Sequence, residues 1–121
     1  MSDPSILIID DERDLLQLFT IGLRNLRYRV LTAAGGEAAQ HILLEETPVL
    51  IILDIAMPRP NGIDLLHQIR GDARFSQTKI IVLTAAPSRL GPDDAALVDL
   101  LISKPTTPRG LEQAVVNLIG R

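Results

Sequence analysis

The chain has 121 residues, 46% of them hydrophobic and 22% charged, which suits one domain with a real core. Its formal net charge is −3, its arginines are scattered, and Lys79 and Lys104 are its only lysines, so direct nucleic-acid binding, which draws on clustered basic residues, is not expected. With no cysteine there are no disulfides, thiolate metal sites or cysteine nucleophiles, and with 2% aromatic residues the core must be aliphatic.

Three short aliphatic runs, Ile6-Leu7-Ile8-Ile9, Val49-Leu50-Ile51-Ile52-Leu53 and Ile80-Ile81-Val82-Leu83, read as strands buried on both faces. Residues 29–33 and 100–103 are weaker candidates for a second and a fifth strand. Between the strands lie helical patterns. Residues 12–26 place Leu15, Phe19, Leu23 and Leu26 on one face, residues 37–46 offer Ala39, Ile42 and Leu43, and residues 61–72 offer Ile63, Leu66 and Ile69. A fourth helix falls somewhere within 88–98, interrupted by Gly91-Pro92. The last runs from 107 to 119, with Thr107 as its cap and Pro108 in the first helical position. Five βα units in series predict an α/β fold, a doubly wound five-stranded parallel sheet in the flavodoxin-like order 2-1-3-4-5. No linker or repeat interrupts the pattern, and residues 1–121 are expected to be a single domain. No apolar run approaches the ~20 residues of a membrane helix and no signal-peptide pattern opens the chain, so a cytoplasmic location off the membrane is the expectation.

Ligand sites in open parallel sheets lie beyond the carboxyl ends of the strands. There the sequence places Asp10-Asp11 after the first strand, Asp54 after the third, Thr84-Ala85 after the fourth and Lys104-Pro105 after the fifth. Clustered carboxylates repel one another unless a cation joins them, and Mg²⁺ suits a site of one or two carboxylates with waters and phosphate oxygens. Asp54 is placed to attack a phosphorus centre, Lys104 to offset charge on the phosphoryl oxygens, and Thr84 to donate a hydrogen bond to one of them. Each residue also has a plainer reading. Asp10 and Asp11 suit a helix cap, Asp54 a turn, Thr84 a strand and Lys104 a solvated loop. The plain readings would all have to converge by accident on one edge of the sheet. His41 and His67 fall among polar neighbours in helices and read as surface residues. Gly35-Gly36 reads as a βα-loop turn, without the further glycines of a dinucleotide fingerprint.

Four runs, Ile8-Ile9-Asp10-Asp11-Glu12, Asp54-Ile55-Ala56-Met57-Pro58 with Asn61-Gly62, Leu83-Thr84-Ala85 and Ser103-Lys104-Pro105, give the chain a resemblance to the receiver domain of two-component response regulators over essentially its whole length. The resemblance implies that Asp54 is the phosphoacceptor, supplied by a sensor histidine kinase or a histidine phosphotransfer protein. It implies Mg²⁺ held by Asp11, Asp54 and the backbone carbonyl of Ala56, with Asp10 acting through a metal-bound water. Thr84 would be the switch hydroxyl, Lys104 would contact the phosphoryl oxygens, and the Lys104-Pro105 bond would be cis. The implied product is a phosphorylation-dependent switch with slow self-dephosphorylation at most, not a turnover enzyme: Ala56 stands where aspartyl-phosphate hydrolases carry a second acid.

The chain departs from the family pattern in one neighbourhood. Leu101 replaces the aromatic residue usual three positions before the lysine-proline pair. The stretch from Thr84 to Lys104 is about two residues short of the family norm by the same resemblance, and Leu97-Val98-Asp99 replaces the usual Gly-Ala-Asp. Leu90, Leu97, Val98, Leu100 and Leu101 make this region aliphatic, which suggests a homodimer or partner-protein surface through residues 88–103. The alternative function is a receiver-like binding module whose state does not depend on phosphate.

Overall fold

The computed structural model describes residues 4–120. The aliphatic runs form β1 (Ser5–Ile9), β3 (Leu50–Leu53) and β4 (Lys79–Thr84), and the weaker candidates form β2 (Arg29–Ala33) and β5 (Leu100–Ser103). All pairings are parallel and the order is β2-β1-β3-β4-β5, as the alternating pattern predicts.

Because successive side chains on a strand point to opposite faces, each central strand feeds two cores. Leu7, Ile9, Ile51, Leu53, Ile80 and Val82 pack on one side with Ala39 and Leu43 of α2 (Gly36–Leu43) and Leu65, Leu66 and Ile69 of α3 (Gly62–Arg70). Ile6, Ile8, Leu50, Ile52, Ile81 and Leu83 pack on the other with Leu16, Phe19 and Leu23 of α1 (Arg13–Leu23) and Leu111 and Val115 of α5 (Pro108–Ile119). Thr107 caps α5 by accepting the Gly110 N–H, with Pro108 in the first turn. The phenol of Tyr28, beside β2, donates to the Gly120 carbonyl at 2.8 Å and fastens the end of α5.

α1, α2 and α3 end earlier than the apolar periodicity predicts, whereas α5 ends at Ile119 as expected. After α1 the Leu26 N–H bonds to Leu23, and after α2 the Glu46 N–H bonds to Ile42, so the residues beyond each helix continue as hydrogen-bonded turns. The fourth helical segment falls within 88–98 as expected and is broken at Gly91-Pro92: a 3₁₀ turn at Pro87–Arg89 precedes a single turn, α4 (Pro92–Ala95). Pro92 can start a helix but not continue one, and the Asp94 carboxylate accepts the Gly91 N–H at 2.9 Å to close the turn. Asp94 also lies 2.6 Å from Nε2 of the exposed His67, a pairing that ties α4 to α3 and, chiefly through that hydrogen bond, holds the Asp94 carboxyl below its ordinary value.

Of the aliphatic residues in 88–103, Leu90, Leu97 and Val98 lean on one core and Leu100 on the other. Leu101 is 43% exposed on the outer face of the edge strand. The unusual turn before β5 has its own logic. The Asp99 carboxylate accepts the Ile80 N–H at 2.8 Å and the Arg70 guanidinium at 3.0 Å, while its own N–H donates to Ile80. Arg70 donates further to the carbonyls of Leu97, Phe75 and Thr78, so one guanidinium joins the end of α3 to the segments that lead into β4 and β5. Replacing Asp99 by Ala leaves the Ile80 N–H without its acceptor. It should cost about 1–3 kcal/mol in urea denaturation, the usual loss for an abandoned part-buried donor; an unchanged midpoint would contradict this role.

Candidate functional site

Three of the strand-end residues singled out in the sequence are fixed by the ladder of a neighbouring strand. The Asp10 N–H donates to Ala33 at 3.1 Å, the Asp54 N–H to Ile9 at 3.0 Å and the Lys104 N–H to Thr84 at 2.9 Å. The parallel register thus carries Asp10, Asp54 and Lys104 to one edge, with Thr84 paired to Ser103 beside them. A second device repeats three times. Asp10 Oδ1 accepts the Glu12 N–H, Asp54 Oδ1 accepts the Ala56 N–H, and Thr84 Oγ1 accepts the Ala86 N–H, each from two residues ahead. This is the turn chemistry of Asx and hydroxyl side chains. The plain reading of Asp54 as a turn-former is therefore true of one of its oxygens and leaves the other free for the site. No side chain of Asp10 or Asp11 caps α1, whose cap residue is Glu12.

The remaining oxygens face inward. Lys104 Nζ lies 2.7 Å from Asp10 Oδ2 and 3.1 Å from Asp54 Oδ2. Asp10 is 3% exposed, Asp54 5% and Thr84 fully buried, whereas Asp11 sits exposed at the mouth. Carboxylate oxygens of Asp10, Asp11 and Asp54 all lie within 4.8 Å of one another. An all-oxygen donor set of this size, gathered in a pocket where each carboxylate resists the next, fits a small hard cation such as Mg²⁺. Ala56 stands beside Asp54, joined to it through its N–H. Ala85 and Ala56 add no bulk at the mouth. Leu101 is not part of this cluster: it pairs with Val82, two positions before the strand end, and faces outward. The Lys104-Pro105 peptide is cis, as the resemblance implies, and so is Arg59-Pro60, which nothing in the sequence singled out. His41 and His67 are both exposed and lie outside the acidic cluster.

The comparisons with known proteins agree with this geometry. Residues 6–116 match the family model described as the response regulator receiver domain. The chain belongs to the response regulator receiver domain family. It is 34% identical to the response regulator Rre1 of Synechocystis over its whole length and 54% of that protein. It is 33% identical to the probable transcriptional regulator ycf27 of Porphyridium aerugineum over its whole length and 50% of that protein. The chain spans about half the length of the curated relatives it matches. Among solved structures, the response regulator protein TrrA of Thermotoga maritima in complex with Mg(2+)-BeF superposes with a TM-score of 0.83 at 29% identity, covering 96% of this chain and 99% of that one. As a receiver domain the chain is a phosphoacceptor rather than an enzyme, and its triad of Asp10, Asp11 and Asp54 has the oxygen donors that suit Mg²⁺. No helix among the described residues is long and apolar enough to cross a membrane.

Sequence reasoning missed the glycine contacts around the loop after β3, which become visible only when the helices are in place. It also could not give the charge state of Lys104. Burial works against its ammonium, but hydrogen bonds and Coulomb attraction from Asp10 and Asp54 outweigh that and hold its pKa above the ordinary 10.5. A lysine raised on folding contributes stability that is fully present below the unfolded value and is lost as pH rises through the folded one. The stability gap between wild type and Lys104→Met should therefore hold steady through neutral pH and shrink above about pH 10.5. Denaturation curves at stepped pH test this, and a gap that closes at acid pH while persisting at alkaline pH would contradict it.

Proposed function

We propose that Asp54 is the phosphoacceptor of a Mg²⁺-dependent switch, and that Asp10, Asp11, Thr84 and Lys104 serve the transfer. The observation that carries this reading is the position of Asp54 Oδ2: it is the oxygen not committed to the loop backbone, and it lies within reach of Lys104 and beside two further carboxylates. The donor is the phosphohistidine of a sensor histidine kinase or a phosphotransfer protein. An Asp54 oxygen attacks the phosphorus, the bond from phosphorus to the imidazole nitrogen breaks, and its electron pair returns to the ring. Asp11, Asp54 and the Ala56 carbonyl would hold the ion directly, and Asp10 would act through a metal-bound water. When bound, the ion supplies positive charge beside the phosphoryl oxygens.

The residues of the chain do the rest. Lys104 leaves its carboxylate partners in part and contacts a phosphoryl oxygen. Thr84 Oγ1, an acceptor for Ala86, keeps its own hydrogen to donate to another. Ala56 and Ala86 neither block nor orient an attacking water, so self-dephosphorylation is modest. The switch has to be read without an aromatic partner for Thr84. Leu101, Pro105 and the single-turn α4 are the parts nearest to hand, and Leu101 is the exposed apolar contribution of region 88–103 to a homodimer or partner surface. A cytoplasmic location fits a kinase-fed receiver.

Incubating wild type with Mg²⁺ and acetyl phosphate should add one phosphoryl group by intact-protein mass. Asp54→Asn should gain none, and chelation of Mg²⁺ should abolish the gain in wild type. If wild type takes no phosphate from either the small donor or a cognate kinase, the chain is a phosphate-independent binding module instead.

A further inference from the structure

The loop between Asp54 and α3 carries Ala56 but has few side-chain hydrogen bonds of its own, and what fixes it is contact with two glycines. At the end of the loop, Gly62 begins α3 so close to the strand end that a Cβ there would overlap the Asp54 carbonyl oxygen and the Ile55 Cα, and would stand 2.8 Å from the Asp54 carbonyl carbon. Two residues earlier, Pro60 lies against the start of α2. A Cβ on Gly36 would overlap the Pro60 carbonyl oxygen and stand 2.7 Å from its Cγ. These are backbone obstacles, which a rotamer change cannot relieve.

We propose that Gly36 is a positioning residue for the acidic site, although it lies on a different helix and touches no site side chain. The path is short and physical. Gly36 lets Pro60 seat on α2; Asn61 follows and caps α3 by accepting the Asp64 N–H at 2.9 Å; Gly62 then presses on the Asp54 backbone. Asp54 in turn holds the Ala56 N–H through Oδ1. α2 is a firm wall for this purpose, because Ala39, one turn from Gly36, is wholly buried in the core. Gly35, at φ 111°, sets the turn into it and takes a conformation that L side chains rarely adopt. A methyl group on Gly36 therefore pushes Pro60 outward and displaces the loop at Ala56, not the strand that carries Asp54.

The Mg²⁺ part of this inference rests on the reading of the acidic triad given above; the loop displacement does not. The test compares wild type, Gly36→Ala and Leu43→Ala, the last weakening the buried end of the same helix far from the loop. Amide NMR spectra are recorded without Mg²⁺, followed by Mg²⁺ titrations. Gly36→Ala should shift the Ala56 and Asn61 amide resonances in the metal-free protein and weaken Mg²⁺ binding about tenfold, the scale on which supports of metal ligands act. Leu43→Ala should lower the melting temperature but leave those resonances and the Mg²⁺ affinity at wild-type values. Wild-type Ala56 and Asn61 resonances in Gly36→Ala would overturn the proposal, because α2 would then have moved instead of the loop. If wild type itself binds no Mg²⁺, the reading of the triad fails while the metal-free spectra still decide the role of Gly36. Should Gly36→Ala not fold, Pro60→Gly opens the same contact from the loop side without overlap. Unchanged Ala56 and Asn61 resonances in that variant would overturn the proposal equally.

Discussion

Asp10 and Asp54 are almost wholly enclosed, and Asp11 stands at the mouth beside them. Carboxylates packed this closely repel, and burial removes the water that would screen them, so the arrangement needs positive charge between them. Lys104 supplies it from the end of β5, bridging the two buried groups at 2.7 and 3.1 Å. Charge neutrality at one sheet edge is thus divided between a lysine that belongs to the chain and a cation that does not. That division allows the site to respond to its occupants. On the proposed reading, an added phosphoryl group would change the local charge and offer Lys104 and Thr84 new oxygens, to which the edge would rearrange.

The scaffold makes this strained gathering of charge affordable by fixing the backbone first. Asp10, Asp54 and Lys104 each continue a strand ladder by one hydrogen bond beyond the strand itself. Asp10, Asp54 and Thr84 each bind the N–H two residues ahead, so side chain and following loop are set together. The two-sided aliphatic core beneath holds the strands in register, and a parallel register is what converts positions 10, 54, 84 and 104 into neighbours.

Much of this was legible in the sequence because it depends on short-range pattern. The aliphatic runs 6–9, 49–53 and 80–83 have only one sensible place in an α/β sheet, and once they are placed the acidic and basic residues that follow them fall on one edge. Thr107-Pro108 announces the last helix for equally local reasons. What escaped depends on contacts between distant segments. The Arg70 guanidinium gathers three backbone carbonyls, those of Phe75, Thr78 and Leu97, with the Asp99 carboxylate, and no side-chain pattern reveals those carbonyls. His67 and Asp94 pair across two helices 27 residues apart. The fourth helix was placed only within 88–98, since Gly91-Pro92 shows that a helix is interrupted but not which side survives. Gly36 looked like a simple turn residue because its obstacle, Pro60, is 24 residues away by sequence number and adjacent only in the fold.

The central claim is chemical: that Asp54, rather than a neighbouring oxygen nucleophile, carries the phosphoryl group. Borohydride reduction of the phosphorylated protein, followed by peptide mapping, reads this directly, because an aspartyl phosphate is reduced to homoserine at the modified position. The account predicts homoserine at position 54 alone, formed only when Mg²⁺ was present during phosphorylation. Modification at Asp10 or Asp11, or a phosphoryl group that resists reduction and maps to Thr84 or a histidine, would contradict it.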